Sequence, residues 1–401
     1  MKILVSSTGR FVLTPDGALW SLVPSDHYGV WRRYLEVFDS VRLLARAEPR
    51  PEPPPGAVPA TGEGVEVEPL PYYVGPEAFL RQYLPLRRRI RAATRVRAAV
   101  CLRLPCALGS MIRRQLDGPR PYGVEVIADP FDSYSPGAVR HPLRAVFREI
   151  FTRRLRAEAR HACAAAYVTQ EALQRRYPPG PAAFTTSYSS IELPASSFAA
   201  KPRTFASSPS WKLITLGSLA RLNKAPDVVL AALRRCRDAG AQVSLTWIGD
   251  GEQLEPMRAL ARSLGLQNAV HFAGALPSAQ PVFDALDRAD LFVLPSRQEG
   301  VPRAMIEAMA RGLPCLGSTI GGIPELLPAE DMVAPNDPES LARLLLAVLG
   351  DPARLNRMAA RNLETARHYE SSLLMERRCT FYRALKQQTE AWLRATSVST
   401  T

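Results

Sequence analysis

Apolar and polar positions in the second half of the chain follow two alternating rhythms. Short apolar runs read as strands: KLITLGSL (212–219), VSLTWIGDG (243–251), AVHFAGAL (269–276), LFVLPS (291–296) and PCLGST (314–319). Between them lie amphipathic runs of helical length. APDVVLAALRRCRDAG (225–240) ends on a glycine suited to a helix stop, LEPMRALARSLGL (254–266) follows, and a helix precedes each of the last two strands. This alternation predicts βαβ units and a parallel sheet, which binds ligands at the carboxyl ends of its strands. The first half is written less cleanly. KILVS (2–6), SVRLLAR (40–46) and YGVEVIAD (122–129) are strand-like, while WRRYLEVF (31–38) and the basic stretch 141–165 are helical. The proline-rich residues 47–69 predict a surface excursion, SSFAAKPRTFASSPSW (196–211) reads as a linker, and 369–393 as a closing amphipathic helix.

With 401 residues, the chain is long enough for two cores. Its 46% hydrophobic and 22% charged content is that of a globular protein. No run of about 18 uncharged apolar residues occurs, so no spanning helix is expected. The opening MKILVSSTGRF reads as a buried strand rather than a secretory signal. The six cysteines are scattered with no C-x-x-C pair, which points to buried thiols and a cytoplasmic location.

Charge changes the picture of the first half. The formal net charge is +13, and residues 1–200 carry 27 Lys and Arg against 18 Asp and Glu. Residues 78–116 hold ten arginines and no acid. A basic face of this kind attracts phosphate, nucleic acid or an anionic bilayer. No aromatic-rich basic motif or zinc pattern supports nucleic acid. The run RQYLPLRRRIRAATRVR (81–97) is either a dock for an anionic membrane or a solvated helix face.

The sharpest chemistry is in SRQEGVPRAMIEAMARGLPC (296–315), where Glu299 and Glu307 stand eight positions apart. Pro302 suits the first position of a helix that Gly312 and Pro314 end, so Pro302–Arg311 is expected to be helical. The free amides of its first turn, with its dipole, form an anion site. A ligand with a hydroxylated ring, a central diphosphate and a ribose would use Glu299, those amides and Glu307 in turn, because a carboxylate can accept two hydrogen bonds from a diol. The plain alternative is a dipole-complementing glutamate at the helix start and a solvent-facing one further in.

The stretch SRQEGVPRAMIEAMARGLPCLGSTIGGIPELL resembles the E-x7-E motif of GT4-type retaining glycosyltransferases, which have the GT-B fold. GSLARLNKAPDVVLAAL, containing Gly217, resembles that family's phosphate-binding loop, and IGDGEQLEPM resembles its Gly-rich turn. YGVEVIADPFDSYSPGAVRHPLR and YVTQEALQRRYP look like a subgroup acting in bacterial exopolysaccharide or surface-polysaccharide assembly. The resemblance implies an α/β chain of two Rossmann-like domains facing across a crevice. An acceptor-binding domain would span 1–205, a nucleotide-sugar-binding domain 206–368, and a helical tail 369–401 would pack back on the first. It implies that Lys224 holds the donor diphosphate, Glu299 contacts the transferred sugar and Glu307 the ribose. Gly300, Val301, Pro302 and Arg303 would approach sugar and phosphate, with the Val301 and Arg303 amides as donors, and Gly274–Leu276 would lie at the base. Gly249 and Gly251 would serve the turn. Where the family has an arginine this chain has Ser218, and Arg221 is expected to supply the charge.

On the first domain the family often has a glycine pair where the SSTGR loop offers Gly9 alone. Asp132 and His141 are the polar candidates there, His141 either as a catalytic group or as a cap. Asp129 and Asp132 are spaced unlike a D-x-D metal motif, so no metal and no cofactor is expected. The donor would be a nucleotide diphosphate sugar and the acceptor a glycan or polyprenyl-linked glycan, met at the inner face of the membrane. Two alternatives share the fold: a sugar-nucleotide 2-epimerase, and a partner subunit that has lost activity, towards which Ser218 leans.

Overall fold

The computed structural model describes residues 1–7, 9–23, 26–134, 141–276 and 278–398; Thr8 of the SSTGR loop and residues 135–140 lie outside them. The five predicted strands of the second half, joined by the unpredicted Met332–Val333, form one six-stranded sheet, all parallel. Its order is Val270–Gly274, Val243–Ile248, Trp211–Leu216, Leu291–Leu294, Cys315–Ser318 and Met332–Val333. Leu291–Leu294 and Cys315–Ser318 are buried along their whole length, as strands covered on both faces must be. Pro226–Asp238 and Pro338–Leu349 cover one face, while Arg303–Ala310 and Pro352–Arg367 cover the other.

The first half builds a larger sheet. From one edge it runs Phe184–Ser187, Ala164–Tyr167, Gly123–Val126, Ala99–Leu104, Lys2–Ser6 and Ser40–Pro49. Ser40–Pro49 then pairs with Val65–Leu70 through its first half and with Phe11–Leu13 through its second. Residues 47–69 are therefore only partly the excursion expected. The alternating VEVEPL completes a strand, and the prolines of 53–55 are confined to the bend before it. The helix expected over 141–165 stops at Arg160, and Ala164–Tyr167 is a fully buried strand. Alanine favours helix locally, but here small residues are what the packing needs. A Cβ on the neighbouring Gly123 would come within 3.0 Å of Phe381 and Leu385 on the last helix.

That last helix, Ser371–Val398, lies across the first sheet. Tyr382 stacks on Tyr34 with centroids 4.5 Å apart, Lys386 donates to the Val37 carbonyl, and Arg97 donates to Leu393 and Ser397. The linker 196–211 contains little regular structure but is clamped. The Arg203 guanidinium reaches the carbonyls of Arg311, Ala289 and Leu286.

Candidate functional site between the two sheets

Strand order reverses in the second sheet between Trp211–Leu216 and Leu291–Leu294, whose following chain segments leave in opposite directions. A crevice opens at such a point. The segment after the first of these strands carries Lys224, and the segment after the second carries Glu299. The two side chains meet, Lys224 Nζ to Glu299 Oε1 at 2.5 Å, and Ser296 donates to the same oxygen at 2.7 Å. Gly217 leaves room for the lysine stem, since a Cβ there would stand 2.7 Å from Lys224 Cγ. Lys224 closes a 3₁₀ turn, and Ala225 after it is left-handed at φ 53° before Pro226 opens the helix. A non-glycine residue held in that region is strained.

Pro302 is the N-cap of Arg303–Ala310 rather than its first residue. The distinction is one position, because its extended ψ of 109° cannot enter the helix. The Val301 and Arg303 amides donate no hydrogen bond among the described residues. Gly300 turns its Cα toward the first unit, 3.2 Å from Val168 by the position of an added Cβ. Glu307 is half-buried, and its carboxylate makes no hydrogen bond or ion pair among the described residues. Burial raises its carboxyl above the ordinary value, and the nearby Arg303 opposes the shift. A carboxylate so placed is an acceptor awaiting donors.

The other predicted residues divide. Arg221 is exposed, with its charge acting on Tyr134 across the crevice. Ser218 folds back, accepting from the Ala220 amide and donating to the Asp250 carbonyl. The Gly249 amide donates to the Gly274 carbonyl at 2.8 Å, joining two strand ends. A Cβ on Gly249 would meet the Gly217 carbonyl at 2.0 Å, and one on Gly251 the Ala220 amide at 2.1 Å. Leu276 lines a separate cavity of about 490 Å³ with Ile214, Ile248 and Ala285. Asp129 and Asp132 both bind Arg176, and Asp129 also accepts from Tyr177. Burial, then Asp129, raises the Asp132 carboxyl, and Arg176 opposes this. His141 is exposed and accepts from the Leu143 amide, capping the approach to the helix Arg144–Arg160.

Several residues of the crevice were not foreseen. Arg297 clamps the Lys224 loop to the Glu299 segment, bidentate on Asp227 at 2.7 Å for both bonds, with its amide on the Asn223 carbonyl. Gln298 reaches Ser133 of the first unit at 2.7 Å. Glu325 accepts from the amides of Gln170, Glu171 and Ala172, also across the crevice. On the first unit, Arg103 and Glu125 sit at the same register position of neighbouring strands, 3.4 Å apart, and Glu125 accepts from Tyr34 and Tyr188. Asp26 lies 4.0 Å from Arg103, and burial raises its carboxyl against the pull of Arg103, His27 and Arg303. The one available signal was a charge of each sign inside apolar strand runs, VCLRLP and GVEVI.

Residues 211–351 match the family model described as Glycosyl transferases group 1. The chain is similar to Protein CapJ of Staphylococcus aureus, 24% identical over 79% of each chain. It is 36% identical to the putative colanic acid biosynthesis glycosyltransferase WcaL of Escherichia coli over 32% of this chain and 34% of that one. Among solved structures, sucrose-phosphate synthase from Thermosynechococcus elongatus superposes with a TM-score of 0.71 at 17% identity, covering 96% of this chain and 99% of that one. Anabaena Alr3699/HepE in complex with UDP-glucose gives 0.59 at 17% identity, covering 98% and 100%.

Proposed function

Because its second unit is a group 1 glycosyl transferase domain and the whole chain has the GT-B fold, we propose that this protein moves a sugar from a nucleotide diphosphate sugar to a saccharide or lipid-linked saccharide in polysaccharide assembly, with retention of anomeric configuration. The observation that carries this reading is the meeting of Lys224 and Glu299 beside the free amides of the helix mouth and the unpartnered Glu307. The Lys224 ammonium and the first-turn amides take the diphosphate, and donor binding exchanges the lysine's carboxylate partner for phosphate. Glu299 takes hydroxyls of the transferred sugar and Glu307 the ribose diol. Charge developing on the leaving diphosphate is met by fixed donors in a narrow crevice, which is where such stabilisation is most effective. Lys224 and the helix dipole supply the positive charge, so the reaction proceeds without a metal. Arg221 stands in for the charge that Ser218 lacks. The names of WcaL, a colanic acid enzyme, and of HepE, holding UDP-glucose, support the acceptor class and the donor class.

The test is a thermal-shift screen against UDP-, GDP- and ADP-sugars with EDTA present, on the parent protein and on Lys224→Ala. A donor at about 100 times its Kd adds roughly 2.7 kcal/mol. One nucleotide should shift the parent, and Lys224→Ala should lose the shift and about 100-fold or more in turnover. No shift with any nucleotide overturns the reading in favour of an inactive partner subunit. The anomeric proton coupling of the product reads retention directly.

The acceptor reading extends to a membrane surface. No helix among the described residues is long and apolar enough to cross a bilayer. The first unit instead exposes Leu80 (71%) and Leu84 (60%) beside Arg81, Arg87, Arg88 and Arg89, a basic surface with apolar anchors. Co-sedimentation with anionic vesicles should fall when these four arginines become glutamine; unchanged binding refutes the docking.

A further inference from the structure

The first unit's wall of the crevice encloses a cavity of about 440 Å³, a size typical of small-molecule sites, and neither Lys224, Glu299 nor Glu307 lines it. Six arginines line it, against two carboxylates, Asp26 and Glu125. Some of that charge is spent within the fold. Arg33 is paired with Glu192, and Arg46 donates to the carbonyls of Gly9 and Tyr73.

The rest keeps donors open to the cavity. The Arg103 side chain is only 11% exposed and lies over Trp31; its Nε faces Glu125 and its Nη1 faces Asp26, neither in hydrogen-bonding geometry. Its Nη2 makes no hydrogen bond among the described residues and is the one nitrogen not closed off. Arg378 is 4% exposed, lies over the Tyr188 ring, donates to the Ser189 carbonyl, and has no carboxylate within ion-pair distance among the described residues. Arg10, in the loop after the first strand, and Arg303, at the helix mouth, have no ion pair among the described residues either. Arg103 and Arg378 are buried or half-buried, and a guanidinium so placed with donors unmet is costly without an anion; Arg10 and Arg303 are exposed, and all four present planar donor pairs that fit a carboxylate or a phosphate. Asp26, turned toward the same space, is an acceptor suited to hydroxyl groups.

Building on the transferase reading, we infer that the acceptor sugar is acidic: its carboxylate or phosphate group sits among Arg10, Arg103, Arg303 and Arg378, and its hydroxyls meet Asp26. The anion is held by the first unit and the last helix together with Arg303, apart from the donor diphosphate at Lys224. Arg303 belongs to both walls, since its charge acts on Glu307 and on Asp26, and it brings the acceptor against the sugar to be transferred.

Calorimetric titration of the full chain with glucuronate, glucose 6-phosphate and glucose tests this, on the parent, Arg10→Gln and Arg10→Lys. Arg10 is exposed, so both variants should fold, and nucleotide thermal shifts recorded in parallel read the donor site separately. At least one anionic probe should bind about tenfold or more tightly than glucose. Arg10→Gln should lose most of that preference, Arg10→Lys should recover part of it, and the nucleotide shift should be equal in all three proteins. A preference for glucuronate assigns a carboxylate, and one for the phosphate ester a phosphate. Equal binding of glucose, no binding of either anion, or a preference unchanged in Arg10→Gln overturns the inference. So does complete displacement of the anion by UDP, which would place it in the donor's own site. A surviving anion preference with no nucleotide shift in any protein leaves the cavity assigned and removes the transferase reading.

Discussion

Each charged side chain in the crevice acts according to the partner it is left with. Lys224 and Glu299 are paired with each other across the two segments. Glu307 has no such partner, and burial raises its carboxyl above the ordinary 4.5. Above 4.5 the unfolded chain has released this proton while the native chain still holds it, so the native state binds more protons there. Stability attributable to this group therefore falls as pH rises from 4.5 through the native value, and the deficit is full above both. Glu307→Gln should raise Tm near neutral pH, with the gain fading as pH drops below 4.5. The same variant should weaken nucleotide-sugar binding about tenfold or more, because the ribose loses a charged acceptor. A thermal-shift series across pH with and without nucleotide reads both. A variant that loses stability at neutral pH would show that the carboxylate has a structural partner.

The elements matter through their ends. Backbone meets backbone at several strand ends, and glycine is required there because no side chain fits. The clearest case is Gly321, at φ 58°, where a Cβ would stand 2.0 Å from the Glu299 carbonyl. Its neighbour Gly322 donates to the Gly300 carbonyl at 2.7 Å. The loop after Cys315–Ser318 thus supports the segment that carries Glu299. Gly321→Ala should cost about 1–3 kcal/mol and also lower kcat/KM, because the Glu299 backbone must move. Gly240→Ala is the control. It too has a positive φ, of 85°, but nothing lies within 4 Å of its added Cβ. It should cost stability alone. Denaturant unfolding with steady-state kinetics on both variants separates strain from displacement; equal activity in the two would show that the Gly321 loop does not position Glu299.

At the scale of the whole molecule, the two units are tied at the crevice and behind it. Behind it runs the helix Ser371–Val398 across the first sheet, anchored where Ser371 and Leu193 exchange hydrogen bonds. At the crevice, the Glu325 carboxylate accepts three amides at the start of Ala172–Arg176, at 2.5 to 3.0 Å. Charge-assisted bonds to a helix start are among the stronger polar contacts. Glu325→Ala should release this latch, costing about 2–3 kcal/mol of closure. Donor KM should rise severalfold, and small-angle scattering should report a larger radius of gyration, with the helical and strand content unchanged. An unaltered scattering curve would show that the tail helix alone sets the angle between the units.

The sequence by itself determined five of the six strands of the second sheet, the helices between them and the spacing of Glu299 and Glu307. Those features rest on local physics: strand–helix periodicity, a proline at a helix start, a glycine at its end, and a motif contiguous from 296 to 307. Local signals also erred locally, by one residue at Pro302 and by reading alanines 164 and 165 as helix. Only the tertiary structure decided which charges share a space. Arg103 faces Glu125 because two strands adopted one register. Arg10, Arg303 and Arg378 line one cavity although they lie on three separate elements far apart in the chain. Glu325 finds the amides of Gln170, Glu171 and Ala172 only when the crevice is formed. Such contacts follow from the packing of whole sheets and helices, and no short stretch of chain encodes them.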